Sequence, residues 1–401
     1  MSSTADVVIV GGGLEGCAAA WALAERGVTD VVVAERNTVG SGMTGKSSGI
    51  VRCHYGVSSL AAMAAVGLEV FEAADDIFGT DIGFRQTGYV VGVGEPNVDA
   101  LRKSLAAQRA VGVDTEEMDK SEVAALWPYA DLTPFAAFGW EARGGYGDAY
   151  QTAQAFSISA RAAGARVRQG TAVAGLQVDG DRVTGVRLAD GTEISAGTVV
   201  VATGAWSRPF LAPYGVDVPI RVVREQIVMI DPGIDEAAVG RLPVFSDLVA
   251  LQYVRPEVGG EILFGNSDLP SYGAIDEADP DDYLNRADDA FIDLTVDKVG
   301  TRFPGFAEAS ISSSYAGCYD VTPDWNPVIS HTHLDNLVVA AGFSGHGFKI
   351  APAVGRLVAD LVIDGYSRDP RIPASDFRLT RFADGEPLVT PYPYVGAGQM
   401  R

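Results

Sequence analysis

Residues 6–16 read DVVIVGGGLEG. A β-branched run from Asp6 to Val10 stops at three glycines, and an apolar stripe at Leu14, Cys17, Ala18 and Trp21 follows at helical spacing. The order predicts strand, tight turn, helix. Gly27, after Glu25-Arg26, is placed to close that helix, and Asp30 to Glu35 reads as a second parallel strand ending in an acid. Gly11, Gly13 and Gly16 have dinucleotide spacing: one for the turn, one for close approach to a pyrophosphate, one for packing helix on strand. The pyrophosphate would rest on the free amides of the helix N-terminus, where the dipole favours anions. Glu35, about 20 residues further on, stands where an acid accepts hydrogen bonds from a ribose.

A bare glycine motif is a weak signal, but here strand, glycines, helix, strand and acid all fall in order. The acid does not separate NAD from FAD. Gly92-Val93-Gly94 and Gly396-Ala397-Gly398 lack a third glycine and a following helix, so one nucleotide site is expected.

Further along, strands are predicted at Arg166 to Gln169, Leu176 to Val178, Val183 to Leu188 and Thr192 to Ile194, with turns at Asp179-Gly180-Asp181 and Asp190-Gly191. Thr198 to Thr203 is a buried-strand pattern stopping at Gly204, and Asn336 to Ala341 is another, stopping at Gly342. After the second comes FSGHGFK (residues 343–349), then Ile350, Val354, Leu357, Val358, Leu361 and Val362 at helical spacing up to Gly365. Residues 85–140 and 221–315 have another texture, with alternating strands such as Arg221 to Ile230 and Glu261 to Phe264. The expected fold is α/β with an α+β second domain. A Rossmann-like nucleotide domain is built from 1–84, 141–220 and 316–375, an antiparallel-sheet domain from 85–140 and 221–315, and 376–401 form a C-terminal extension.

The chain has 401 residues, 47% hydrophobic and 20% charged, which suits a large globular core. Its 30 Lys and Arg against 52 Asp and Glu give a net charge of −22, which repels nucleic acid and anionic membranes. Three separated cysteines, Cys17, Cys53 and Cys318, suit a reducing, cytoplasmic setting, and the N-terminus reads as a strand rather than a signal peptide. No apolar run approaches the roughly 20 residues that span a bilayer. Of four histidines only His331 and His333 lie close together, too few ligands for the usual metal site, and no metal is expected.

With these motifs in place, the chain resembles the flavin-dependent amine oxidoreductases of the D-amino acid oxidase superfamily, on the branch of sarcosine oxidase, dimethylglycine dehydrogenase and glycine oxidase. The resemblance is carried by Gly11, Gly13, Gly16 and Glu35, by Arg52 to Tyr55, by Ala202-Thr203-Gly204, by YDVTPD (residues 319–324), and by AGFSGHGFK (residues 341–349). It implies one FAD, contacted by those glycines, Glu35, Arg36, Ser48, Val173, Thr203, Gly204, Gly342, Ser344, Gly345, His346, Gly347 and Lys349. It also implies that Arg52 and Lys349 clamp a substrate carboxylate, with His54 and Tyr253 as further pocket residues. A cation in a helix's first turn opposes the dipole, so Lys349 calls for an anionic partner.

Two positions depart from the pattern. The cysteine that links FAD in monomeric sarcosine oxidases stands two residues before the motif tyrosine. That position is Gly317 here, and Cys318 comes one place later, so FAD is expected to be non-covalent. The lysine that activates oxygen in those enzymes has no counterpart in Glu261 to Gly265. The function implied is FAD-dependent oxidation of the C–N bond of a small amino acid or N-methyl amino acid, with electrons passed to O2 or another acceptor. A 2-hydroxy acid or glycerol-phosphate dehydrogenase is an alternative, as is a flavoprotein subunit active only with a partner chain. Oligomeric state stays open.

Overall fold

The computed structural model describes residues 3–396. Ala397 and Gly398, in the second of the two incomplete glycine triplets, lie outside them. The strands Leu337–Ala341, Glu193–Val201, Ser3–Val10, Val31–Ala34 and Arg166–Arg168 form one parallel sheet in that order, with Val328–His331 antiparallel at the Leu337 edge. In the middle of the sheet, residues 7–10, 31–33, 199–201 and 337–339 are all apolar because both faces are covered. The helices Leu14–Glu25, Ser58–Glu72, Ala149–Ala162 and Gly347–Ile363 bury Trp21, Phe71, Phe156 and Phe348 in the core on one side. On the other side lie the hairpin Val173–Asp179 with Arg182–Leu188 and the segment carrying Leu211, Val216 and Val218.

The two strands predicted at 192–194 and 198–203 are one, Glu193–Val201. The intervening Ala196-Gly197 does not break it, because the whole strand pairs with the first one, from Ser3 opposite Ile194 to Val10 opposite Val201. A Cβ at 197 would stand 2.9 Å from the carbonyl of Asp6, so this glycine marks a close approach rather than a turn.

The second sheet has eight strands in the order Ser310–Val321, Arg221–Asp231, Ile262–Asn266, Gln252–Pro256, Val244–Asp247, Tyr89–Val93, Ala137–Glu141 and Glu116–Met118. Every pair is antiparallel except Val244–Asp247 with Tyr89–Val93, which come from separate segments with no hairpin joining them. Ser310–Val321 pairs with Arg221–Asp231 from end to end, so the junction expected at 315/316 falls inside a strand of this sheet. Arg381 in the C-terminal segment makes a two-point ion pair with Asp324, each side chain 1% exposed. Among the described residues no helix is long and apolar enough to cross a membrane.

Candidate active site

The glycine turn is built by steric exclusion. Gly11 has φ +105°, and a Cβ there would stand 2.4 Å from the Ala202 carbonyl oxygen. At Gly16 it would stand 2.0 Å from the Gly11 oxygen, closing helix onto strand. Gly13 is different: its Cβ would meet only the Thr44 hydroxyl, at 3.3 Å, so the protein leaves space on that side. Glu35 accepts from the amides of Gly12 and Asn37, both at 2.8 Å, and so fixes the turn from the end of the second strand.

The C-terminal turn converges on the same place. After Leu337–Ala341 the chain bends at Gly342, φ +75°, whose amide donates to the Asp320 carboxylate at 2.7 Å. Ser344, itself at φ +52°, accepts from the Thr322 amide at 3.2 Å. Gly345, φ +81°, brings the chain against the Tyr319 ring, and the helix starts at Gly347. Burial pushes the Asp320 carboxyl up to about 6 despite its backbone donors.

Between the two turns lies a cavity of about 460 Å3. Its wall includes Gly11, Gly13, Glu35, Arg36, Ser48, Val173, Thr203, Gly204, Gly345, Gly347 and Tyr253 of the residues predicted from sequence. Gly16, Gly342, Ser344 and His346 are not on the wall; the first three shape the turns behind it. Arg36 stacks on Trp206, 4.3 Å to the ring centre, and pairs with Asp281 at 2.7 Å.

Three acids on the wall, Glu15, Asp320 and Glu225, carried no assignment of their own in the sequence reading. Glu15 directly precedes the third glycine of the motif, Gly16; its Oε2 is buried without a partner, and burial with nearby Asp320 holds its carboxyl well above the usual range. A glycine cradle, an orphaned buried polar atom and a cavity of ligand size fit a bound dinucleotide. The alternation of Arg221 to Ile230 puts Glu225 and Ile227 on one face, but only the tertiary structure says that this face meets the cavity.

Arg52, His54 and Lys349 are brought together in a buried cluster beside the cavity rather than on its wall. The Arg52 guanidinium donates to the His54 carbonyl and lies 4.4 Å from the Tyr55 ring centre. Tyr55 in turn meets His346 Nδ1 at 3.3 Å. Lys349 Nζ donates only to the carbonyl of Gly345, a cavity residue, at 3.5 Å. Among the described residues no carboxylate lies within ion-pair distance of Arg52 or Lys349, so the protein itself does not supply the anion that Lys349 calls for. Instead, burial and the Arg52 charge hold the Lys349 amine well below its ordinary range. His54 sits between the Tyr394 hydroxyl, 2.8 Å, and the Gln108 amide, 3.3 Å, and burial with the Arg52 charge pushes it down to about 3. His331 and His333 gather no third ligand; among the described residues no group of three His, Cys, Asp or Glu could hold a metal.

A parallel sheet with its glycine turn at the cavity, a second glycine turn on the facing helix and a second sheet roofing the space define a dinucleotide-dependent oxidoreductase. The family described as FAD dependent oxidoreductase (DAO) matches residues 6–361, and the chain belongs to it; its cofactor is FAD. The chain is 30% identical over 384 residues to 4-methylaminobutanoate oxidase (formaldehyde-forming) of Paenarthrobacter nicotinovorans, covering 94% of this chain but only 45% of that protein. It is 27% identical to sarcosine oxidase subunit beta of Rhizobium meliloti, covering 95% and 89%. Among solved structures, L-proline dehydrogenase from P. horikoshii matches with a TM-score of 0.87 at 28% identity, covering 96% of this chain and all of that one.

Proposed function

We propose that this chain oxidises the C–N bond of a small amine that also bears a carboxylate, an amino acid or N-methyl amino acid, with FAD held non-covalently. FAD supplies the two-electron acceptor; the protein binds and orients the amine and keeps water out. The observation that carries the reading is the pair of buried basic side chains, Arg52 and Lys349, neither within ion-pair distance of a carboxylate among the described residues; Glu141, the buried acid nearest Arg52, accepts instead from the Cys53 amide. A charge buried without a partner is costly, and a substrate carboxylate would satisfy both groups. On this reading Tyr253 lines the substrate end, while His54 backs Arg52 through its carbonyl. The names of the relatives, acting on methylaminobutanoate, sarcosine and proline, point the same way.

The test is an anaerobic panel of sarcosine, dimethylglycine, L-proline, 4-methylaminobutanoate, D- and L-amino acids and 2-hydroxy acids, scored by bleaching of the flavin. Bleaching by carboxylated amines supports the proposal. Bleaching by hydroxy acids alone refutes it. A reading in which the chain needs a partner is favoured by the likeness to a sarcosine oxidase beta subunit, and turnover by the purified chain alone would dismiss it.

A further inference from the structure

Glu225 stands on the strand Arg221–Asp231, where side chains alternate between two faces. Arg224, Gln226 and Val228 point to one face. Arg224 pairs there with Asp288, Gln226 accepts from the Asp288 amide at 2.7 Å, and Val228 packs in the cluster that includes Val299 of the helix Asp289–Arg302 and Phe303 just after it. Glu225 and Ile227 point to the other face, onto the cavity. Directly opposite Glu225 on the neighbouring strand is Gly317, where a side chain would collide with Lys46, whose Cβ lies 2.7 Å from the point a Cβ would occupy. Tyr253 and Tyr319 line the same cavity.

The charged and titratable groups around Glu225 are few. Arg224 is beside it in sequence but spends its charge on Asp288. Tyr253 faces it from Gln252–Pro256, Tyr315 and Tyr319 come from the same face of Ser310–Val321 with Cys318 on the opposite one, and the strand Ile262–Asn266 offers no titratable group. Lys46 lies over Gly317, but its ammonium is held by Asn285 at 2.9 Å. No ion pair or hydrogen bond engages the Glu225 carboxyl among the described residues. A half-buried carboxyl with no protein partner, aimed into a ligand cavity, is set up for a cationic or N–H-bearing ligand.

Building on the proposed amine oxidation, we infer that Glu225 receives the substrate's amine: its carboxylate binds the ammonium and takes one proton from nitrogen before the adjacent carbon is oxidised. The step balances. The N–H bond breaks and a carboxyl O–H forms, leaving a neutral amine with its lone pair. The neighbouring C–H bond then breaks with its electron pair passing to FAD as hydride, the nitrogen lone pair closes the C=N bond, and water adds to the iminium. Burial holds the Glu225 carboxyl up to about 8, near the working pH and so matched to a base that must also release its proton.

The experiment uses the FAD-loaded enzyme with sarcosine and with L-proline, following the limiting rate of anaerobic flavin reduction from pH 6 to 10. The parent should rise through a break near pH 8 and level off. In Glu225→Gln, which keeps the shape of the side chain, that break should vanish, the rise should continue toward the free amine at about pH 10, and the rate at pH 8 should fall by about 10²- to 10⁴-fold. Glu225→Asp should keep a break at a reduced rate. Flavin content, read from absorbance, should match the parent in both, which separates the role from a structural one. Reduction by either amine with the same break and rate in Glu225→Gln overturns the inference alone. If amines fail to reduce the parent and 2-hydroxy acids succeed, the proposed function falls and Glu225 as amine acceptor falls with it.

Discussion

The carbonyl oxygen of Gly11 lies 2.0 Å from the point where a Cβ on Gly16 would stand, whereas a Cβ on Gly13 would meet nothing closer than the Thr44 hydroxyl at 3.3 Å. Two glycines of one motif therefore serve different masters, one the fold and one the ligand. Gly16→Ala should destabilise the apoprotein by about 1–3 kcal/mol or more through overpacking. Gly13→Val should leave the apoprotein fold intact and lose FAD, because the added side chain occupies the pyrophosphate's approach. Thermal unfolding and flavin content of both variants check this; retained FAD in Gly13→Val would count against the assignment.

The attachment of FAD is the next test. Cys318 borders the cavity, but alternation along Ser310–Val321 separates it from Gly317 and Tyr319, and its side chain packs with Ala205 and Val222. Burial also pushes its thiol up to about 11, so little thiolate is present at neutral pH to attack a flavin. Acid precipitation of the holoenzyme should leave a colourless pellet. A flavin-bearing peptide containing Cys318 would reverse this.

How far the sequence could be read follows the reach of each interaction. The first strand, turn and helix were legible at residues 6–25 because their periodicity is local, and AGFSGHGFK was legible as a motif. The continuity of Glu193–Val201 was not, since it depends on pairing with a strand nearly two hundred residues away. Arg52 and Lys349 could be named from opposite ends of the chain, yet that neither forms an ion pair among the described residues, even with Glu141 buried near Arg52, is a tertiary fact. Glu225 stayed hidden because alternation divides a strand into two faces without saying which one meets a cavity. Arg381 carries no motif at all, and Asp324, its partner, lies 57 residues away.

That last pair makes a stability prediction. Arg381 holds Asp324 through Nε at 2.7 Å and Nη2 at 2.9 Å, and also donates to the Asn326 carbonyl at 2.8 Å. Removing one partner strands a buried carboxylate, which costs about 3–5 kcal/mol. Arg381→Ala should therefore lower the denaturation midpoint sharply. A shift no larger than that of an exposed pair such as Arg102 with Glu117 would show that Asp324 finds water or another donor.

His54 supplies a pH prediction. Its folded value is pushed down to about 3, against about 6.5 in an unfolded chain. Between those values the unfolded chain binds a proton that the folded one refuses, so the contribution is complete above pH 6.5 and is lost as pH falls toward 3. Its ceiling is about 5 kcal/mol. Asp320, pushed up to about 6, acts in the opposite sense, binding its proton more tightly when folded. Urea unfolding at intervals from pH 7 to 3 should give a flatter stability curve for His54→Gln than for the parent. Equal slopes would mean that His54 takes up its proton without unfolding.

The carboxylate clamp is tested at Arg52. A charge-assisted hydrogen bond contributes about 1.5–3 kcal/mol, so Arg52→Ala should weaken capture of sarcosine or proline by about tenfold to over a hundredfold. Arg52→Lys should recover only part, since an ammonium cannot reproduce the guanidinium fork or its stacking 4.4 Å above Tyr55. Arg52 also donates to the His54 carbonyl, so Arg52→Ala should cost some stability as well, on the order of 1–3 kcal/mol for an acceptor left unsatisfied. The two effects separate when substrate affinity is measured on the FAD-loaded fraction alone. Normal affinity in that fraction would reduce Arg52 to a structural role. The parent enzyme gives an independent reading: dimethylamine, which is sarcosine without its carboxylate, should be oxidised far more slowly than sarcosine itself. Equal rates would leave the clamp nothing to hold, and Arg52 and Lys349 would need another role.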